Sequence, residues 1–182
     1  QEDLIKIFNY IEPSDINSKT YSHRIHELLV RTCIEVEANF TAILKENKYP
    51  GNADWTMKDY RKTEQSHYLS HYEVSLPTWK GTSNIRMPFK QFSGTSSLPW
   101  YKAYNNTKHD RHQNFEQANF ENLVDAVSGL AVLMAAQFYT WSFSTGSTLL
   151  SIGNGRHKDD FESSIGDLFR IKYPKNIPDS EK

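Results

Sequence analysis

"SHRIHELLVRTCIEVEANFTAILKEN", Ser22 to Asn47, decides the fold class. Ile25, Leu28, Leu29, Thr32, Val36, Phe40, Ile43 and Leu44 recur three and four positions apart, which puts them on one face of a helix. A stripe of that length predicts one long amphipathic helix. "KYPGN", Lys48 to Asn52, ends it with Pro-Gly punctuation. Upstream, Leu4, Ile5, Phe8 and Ile11 have helical spacing up to Pro13. Downstream, Thr56 and Asp59 form a capping-box variant for a short helix through about Gln65.

A second long helix is expected after Asn114, with Gln117 completing an Asn-x-x-Gln cap. Its stripe is Phe120, Leu123, Val124, Val127, Leu130, Ala131, Met134 and Phe138. Gly129 and the alanines around it keep the surface slim, so a neighbouring helix can approach closely. Before it, Ser97 and Pro99 mark the start of another helix running into "AYNNTKHDRHQNF". Between the halves, Tyr72, Val74 and Leu76 alternate, and so do Ile85, Met87 and Phe89, around a Lys80–Ser83 turn. That pattern predicts a small β-hairpin, while Pro77 and Pro88 favour edge strands or extended loop. The tail from Asp160 reads as one short element and a frayed end, and the stretch before it as loop.

The expected class is therefore mainly α: an antiparallel helical bundle with a hairpin or extended insertion at about 66–96. One domain spans 1–175, with a flexible tail at 176–182. At 182 residues the chain is long enough for one core. Cys33 is the only cysteine, so an internal disulfide framework and a cysteine zinc site are both excluded. It falls in the helical stripe and reads as a buried, inert thiol. No basic leader precedes an apolar run, and "SGLAVLMAAQF" is shorter than the roughly 20 residues a membrane helix needs. A cytoplasmic protein without membrane contact is expected.

The net charge of −1 hides an asymmetry. From Lys80 to His112, the cations Lys80, Arg86, Lys90, Lys102, Lys108 and Arg111 face Asp110 alone, a local +5 against −6 elsewhere. Trp79, Phe89, Phe92, Trp100, Tyr101 and Tyr104 are interleaved with them. Cations meet phosphates and rings stack on bases, so this mixture suits single-stranded nucleic acid. A solvated surface over core aromatics accounts for it equally.

The chemistry concentrates between Lys102 and His112. Histidine near neutral pH can take or give a proton, and lysine or arginine can stabilise charge growing on phosphate. His109 is the candidate general acid/base, with Lys108 and Arg111 holding phosphate. Asn105 would position it, and Tyr104, Asn106, His112, Lys90 and Trp100 are candidate substrate contacts. RNA supplies its own 2′-hydroxyl nucleophile, so no metal or cofactor is required. His109–Asp110 also forms an HD dipeptide, but its possible partners His23, His26 and Asp125 are badly spaced for a metal phosphohydrolase. His109 and His112 would need a carboxylate such as Glu35 or Glu37 to share a metal. A structural account competes with all of these. In it, Asp110 pairs with Arg111, Asn114 caps, and Lys108 and His109 complement a helix C-terminus.

Two segments carry a family resemblance. "HRIHELLVRTCIEVEANFTAILKEN" and "LPWYKAYNNTKHDRHQNFEQANFENLVDAVSGLAVLMAAQF" together resemble the HEPN superfamily over under half the chain. The likeness centres on Tyr-Asn-x-x-Lys-His-Asp-Arg and the Ala-rich helix after it. It implies a helical bundle, often a homodimer with the motif near the dimer cleft; a subunit active only in a larger complex is a separate possibility. It also implies metal-independent RNA cleavage in bacterial defence or toxin–antitoxin systems. The family pattern places an arginine a few positions before the histidine. Here Lys102, Tyr104, Asn105 and Asn106 occupy that region, and Lys102 is the candidate replacement without arginine's bidentate fork. The resulting expectation is an RNA-directed protein, a ribonuclease if active. The alternative is a non-catalytic dimeric module that grips nucleic acid or a protein.

Overall fold

The computed structural model describes residues 1–51, 54–138, 159–164 and 168–175. The loop expected at 144–158 and the flexible tail expected at 176–182 lie outside them. The chain is mainly helical. The helices are α1 (Glu2–Phe8), α2 (His23–Glu46), α3 (Met57–Tyr60), α4 (Glu64–His67), α5 (Pro99–His109), α6 (Arg111–Asn114) and α7 (Phe120–Gln137). The strands are β1 (Glu73–Ser75), β2 (Ile85–Arg86), β3 (Glu162–Ser164) and β4 (Phe169–Lys172).

α2 follows its sequence stripe closely. All eight expected positions are buried, and Cys33 joins them as a buried free thiol. Ser22 caps it by accepting a hydrogen bond from the Ile25 amide. Phe40 is fully enclosed, stacked on Tyr60 and edge-on to Phe89, so its side chain alone supplies about 1.5–3 kcal/mol of burial. The Thr56–Asp59 capping box forms as expected, but the helix it starts lasts one turn before a 3-10 turn intervenes.

α7 departs from its expected stripe. Val127, Leu130 and Met134 are half-buried and Phe138 is exposed, whereas Ala126, Ser128, Gly129, Val132, Leu133 and Ala135 are buried. The helix is enclosed on most sides, because α2, α5 and the sheet all pack on it. Apolar residues surround such a helix, so periodicity cannot pick its face. Its cap is Asn119, whose side chain accepts from the Asn122 amide, and not Asn114. Asn114 instead accepts from the Gln117 side chain in the turn before the helix. At α5, Leu98 holds the N-cap position and Pro99 the first turn, so the expected Ser97 cap is absent.

The long helices α2 and α7 run parallel, which corrects the antiparallel expectation. Tyr21 bridges Asn119 at their starts. Eighteen residues further along each helix, Gln137 donates its amide to Asn39. α5 runs back between them in the opposite direction. Its Tyr101 meets Glu37, and the α6 turn that follows it puts Phe115 against His26 and His23. The segment between α2 and α7 is long enough to return the chain to its starting end, which a short antiparallel connection would not require.

The expected hairpin exists, with Val74 opposite Arg86 and Ser75 opposite Ile85. It is not an isolated insertion. β4 pairs with the other edge of β1, placing Ile171 opposite Val74, and β3 pairs with β4. The result is an antiparallel four-stranded sheet of order β2-β1-β4-β3. The tail therefore supplies two strands where one element was expected. The hairpin turn is pinned by Asp15, whose carboxylate accepts from Trp79 Nε1 at 2.7 Å, the Thr82 amide at 2.7 Å and the Ser83 amide at 3.2 Å. Gly81 sits in that turn at φ +127°, and a Cβ there would strike the Asp15 carboxylate.

Candidate functional site

The expected site residues separate into five places. Trp100 and Tyr104 are core residues. Trp100 donates its indole N–H to the Pro88 carbonyl at 2.9 Å and meets the ring of Phe89. Tyr104 is fully buried, with its hydroxyl bonded to Lys108 and its ring against Tyr101. Neither ring can stack on a substrate. The other interleaved aromatics, Trp79, Phe89 and Phe92, are buried as well. A sequence rich in rings and cations thus resolves into core and rim, as aromatic side chains have the most area to bury.

Lys90 is exposed but stands at the wrong end. Its turn packs through Phe89 and Phe92 onto Phe40, while Phe115 packs on His26 at the opposite end of α2. Fourteen residues of helix between them correspond to about 20 Å.

The α5–α6 corner collects the main group. Lys108, His109, Arg111 and His112 are all exposed there. Asp110, the only acid in the run, caps α6 by accepting from the Gln113 amide at 3.2 Å. Its expected pairing with Arg111 does not form, and Arg111 makes no ion pair among the described residues. The Lys108 ammonium donates to the Tyr104 hydroxyl at 3.0 Å, which holds its pKa above the usual lysine range. Burial pushes the Tyr104 phenol upward, so both groups keep their protons near neutral pH.

Sequence spacing gave no reason to join His23 and His26 to this corner, yet α2 delivers both. Phe115 packs its ring against His23 (4.8 Å), His26 (5.8 Å) and Tyr21 (5.6 Å). His26 is half-buried, and its Nε2 has no partner among the described residues. Burial, then the nearby Arg111 and His23, lower its pKa. The first turn of α2 carries no acid. The helix end with its positive dipole thus lies against further cations. Fixed positive charge at this pole comes from Lys108 and Arg111.

Asn105 belongs to an inner network. Tyr101 donates to Glu37 at 2.7 Å and also bonds Asn105. Burial, then Glu37, drives the Tyr101 phenol well above its ordinary pKa. Glu37 is therefore the anchor between α2 and α5.

Lys102 and Asn106 face away from α2 into an open polar groove of about 790 Å³ between α5 and the start of α7. Gln117, Asn119, Asn122 and Asp125 line it, with Tyr21 at the rim. Arg86, only 6% exposed, donates to Asp125 at 3.1 Å and stacks over Trp79 at 4.4 Å. Burial lifts the Asp125 pKa to about 6 despite that partner. Asp125 was expected, at most, to be a poorly spaced metal partner for His109. No group of three or more metal-binding side chains occurs among the described residues. The sequence signal that was missed is the run of amides Asn114, Gln117, Asn119 and Asn122, of which only the first two were read, as a cap.

No protein-family model matches this chain, and no curated protein or solved structure shows significant similarity to it. No helix among the described residues is long and apolar enough to cross a membrane.

Proposed function

We propose that the chain is an RNA-directed, HEPN-like protein whose α5–α6 corner grips the phosphate backbone. The carrying observation is the joint exposure of Lys108, His109, Arg111 and His112 around a single acid already engaged in capping. Cations that lack carboxylate partners are available to phosphates. The half-buried Phe115 and the exposed Tyr21 and His23 beside them offer flat surface for bases, a role the buried Trp100 and Tyr104 cannot take. A Lys108→Glu, Arg111→Glu variant is expected to bind a 15-nucleotide RNA far more weakly. The slope of log affinity against log salt should shrink by about 0.7 per lost contact. Unchanged affinity and slope in fluorescence anisotropy would refute the reading.

Metal-independent RNA cleavage is the second reading. It is favoured by His109, which stands exposed between Lys108 and Arg111. Asn105 and Lys102 sit within two turns of it on α5, with Lys102 in the position of the arginine that the resemblance leads one to expect. His109 has no fixed partner among the described residues, so this reading calls on a second copy to complete the site. The reading therefore carries homodimerisation with it, and a bacterial defence or toxin–antitoxin setting remains part of it. Cleavage in EDTA that disappears in His109→Ala, with dimer mass in sedimentation, supports this reading. Equal background cleavage by both proteins, with intact binding, leaves the non-catalytic module.

A further inference from the structure

The groove beside the pole is built to accept hydrogen bonds. Each of three amides turns one N–H inward: Asn106 Nδ2 to Gln117 at 2.8 Å, Gln117 Nε2 to Asn114 at 2.7 Å, and Asn122 Nδ2 to the Gln117 carbonyl at 2.8 Å. The side-chain oxygens of Asn106 and Asn122 are left without a donor among the described residues. Asp125 uses one oxygen on Arg86 and keeps the other. Arg86 is nine-tenths buried and stacked over Trp79, which holds it in place against Asp125. The entrance carries Tyr21, 51% exposed, and Lys102, which makes no ion pair among the described residues.

We infer that this groove is a binding site for one guanine nucleotide, with Asp125 and Asn122 accepting from the base edge and Lys102 meeting the phosphate. The inference rests on the RNA reading of the neighbouring pole and names the base that the pole's strand would insert. Guanine is the common base that offers two adjacent donors, N1–H and the N2 amino group, to a carboxylate. The ring of Tyr21 supplies a stacking wall, as unpaired bases in single-stranded RNA require. Tyr21 also touches Phe115, so the groove opens beside the cationic corner. A strand held there by its phosphates would pass beside the groove at Tyr21. The volume of about 790 Å³ is ample for a nucleotide.

Mononucleotides test the groove alone, and oligonucleotides test the pole. Titration of the full chain with GMP, AMP, CMP, UMP and XMP, followed by amide NMR, is expected to favour GMP on the order of tenfold. Asp125→Asn exchanges an acceptor for a donor. It should lose GMP and gain XMP, whose C2 carbonyl accepts where guanine donates. Because that variant disturbs a buried arginine, Asn122→Ala serves as the second probe. It should weaken GMP several-fold and leave a guanine-free RNA oligonucleotide bound as before. GMP binding that survives Lys108→Glu, Arg111→Glu supports the groove whatever happens to the oligonucleotide. Equal response to all five mononucleotides, or no change in selectivity in Asp125→Asn and Asn122→Ala, overturns it.

Discussion

Tyr101 of α5 donates its hydroxyl proton to Glu37 of α2 at 2.7 Å, and this bond ties together the two antiparallel helices of the bundle. The acceptor is half-buried, so its loss leaves a poorly solvated carboxylate. Tyr101→Phe is expected to cost about 1.5–3 kcal/mol in denaturant unfolding, the usual worth of a hydrogen bond to a charged group. Glu37→Gln keeps an acceptor and should cost less. Equal stability of wild type and Tyr101→Phe would show that water replaces the bond.

Asp15 anchors the hairpin turn, with Trp79 the strongest of the donors that hold its carboxyl well below the usual carboxylate range. The sign follows from a depressed folded pKa. The stabilisation is complete above the unfolded value near 4 and is lost as pH falls below it. Asp15→Asn should flatten the acid limb of the stability–pH curve. Gly81→Ala pushes a methyl into the same carboxylate. It should unseat the turn, read as increased solvent exposure of Trp79 fluorescence.

Asp125 has the opposite sign. Burial raises its carboxyl to about 6, so its proton favours the folded state. Its contribution is fully present below the unfolded value near 4 and is lost as pH rises through about 6. The Asp125 side-chain carboxyl carbon should titrate near that pH by NMR. The stability of wild type relative to Asp125→Asn should improve between pH 7 and pH 4. A midpoint near 4 would mean that Arg86 outweighs desolvation, as the 24% exposure of the Asp125 side chain would permit.

Gly129 of α7 packs against Trp100 of α5. A Cβ there would stand 3.2 Å from Trp100 Cζ2. Gly129→Ala gains about 1 kcal/mol of helix propensity against this crowding and should leave the melting temperature nearly unchanged. Gly129→Val forces Trp100 off its bond to Pro88 and should cost about 1–3 kcal/mol. A stable Gly129→Val would show that the α5–α7 contact is loose.

Parts of this molecule were legible residue by residue. α2 had a polar face as well as an apolar one, so Ile25 to Leu44 announced both the helix and its buried side. α7 was legible only as a helix, since neighbours on several sides erase the contrast that periodicity needs. Asn114-x-x-Gln117 imitated a cap because both side chains do bond one another, in the turn before the true cap at Asn119. Of the candidate site, the exposed Lys108–His112 run could be read, since adjacent cations around a helix break have little reason to be buried. The partition of α5 could not be read. Trp100 and Tyr104 face inward while Lys102 and Asn106 face the groove, and only the positions of α2 and α7 decide which. The parallel direction of those two helices, and with it the approach of His23 and His26, is a long-range fact that no local pattern encodes.

That parallel pairing has a consequence for biosynthesis. α2 is complete at Glu46, but the helix that covers its apolar face begins only at Phe120. At about 5–20 residues per second, a translating ribosome takes roughly 4–15 s to supply the missing partner. For that interval the α2 stripe lacks its main helical partner, although Phe40 can already meet Tyr60 and Phe89. The core closes late, and a chaperone has its best opportunity to bind this protein before α7 arrives.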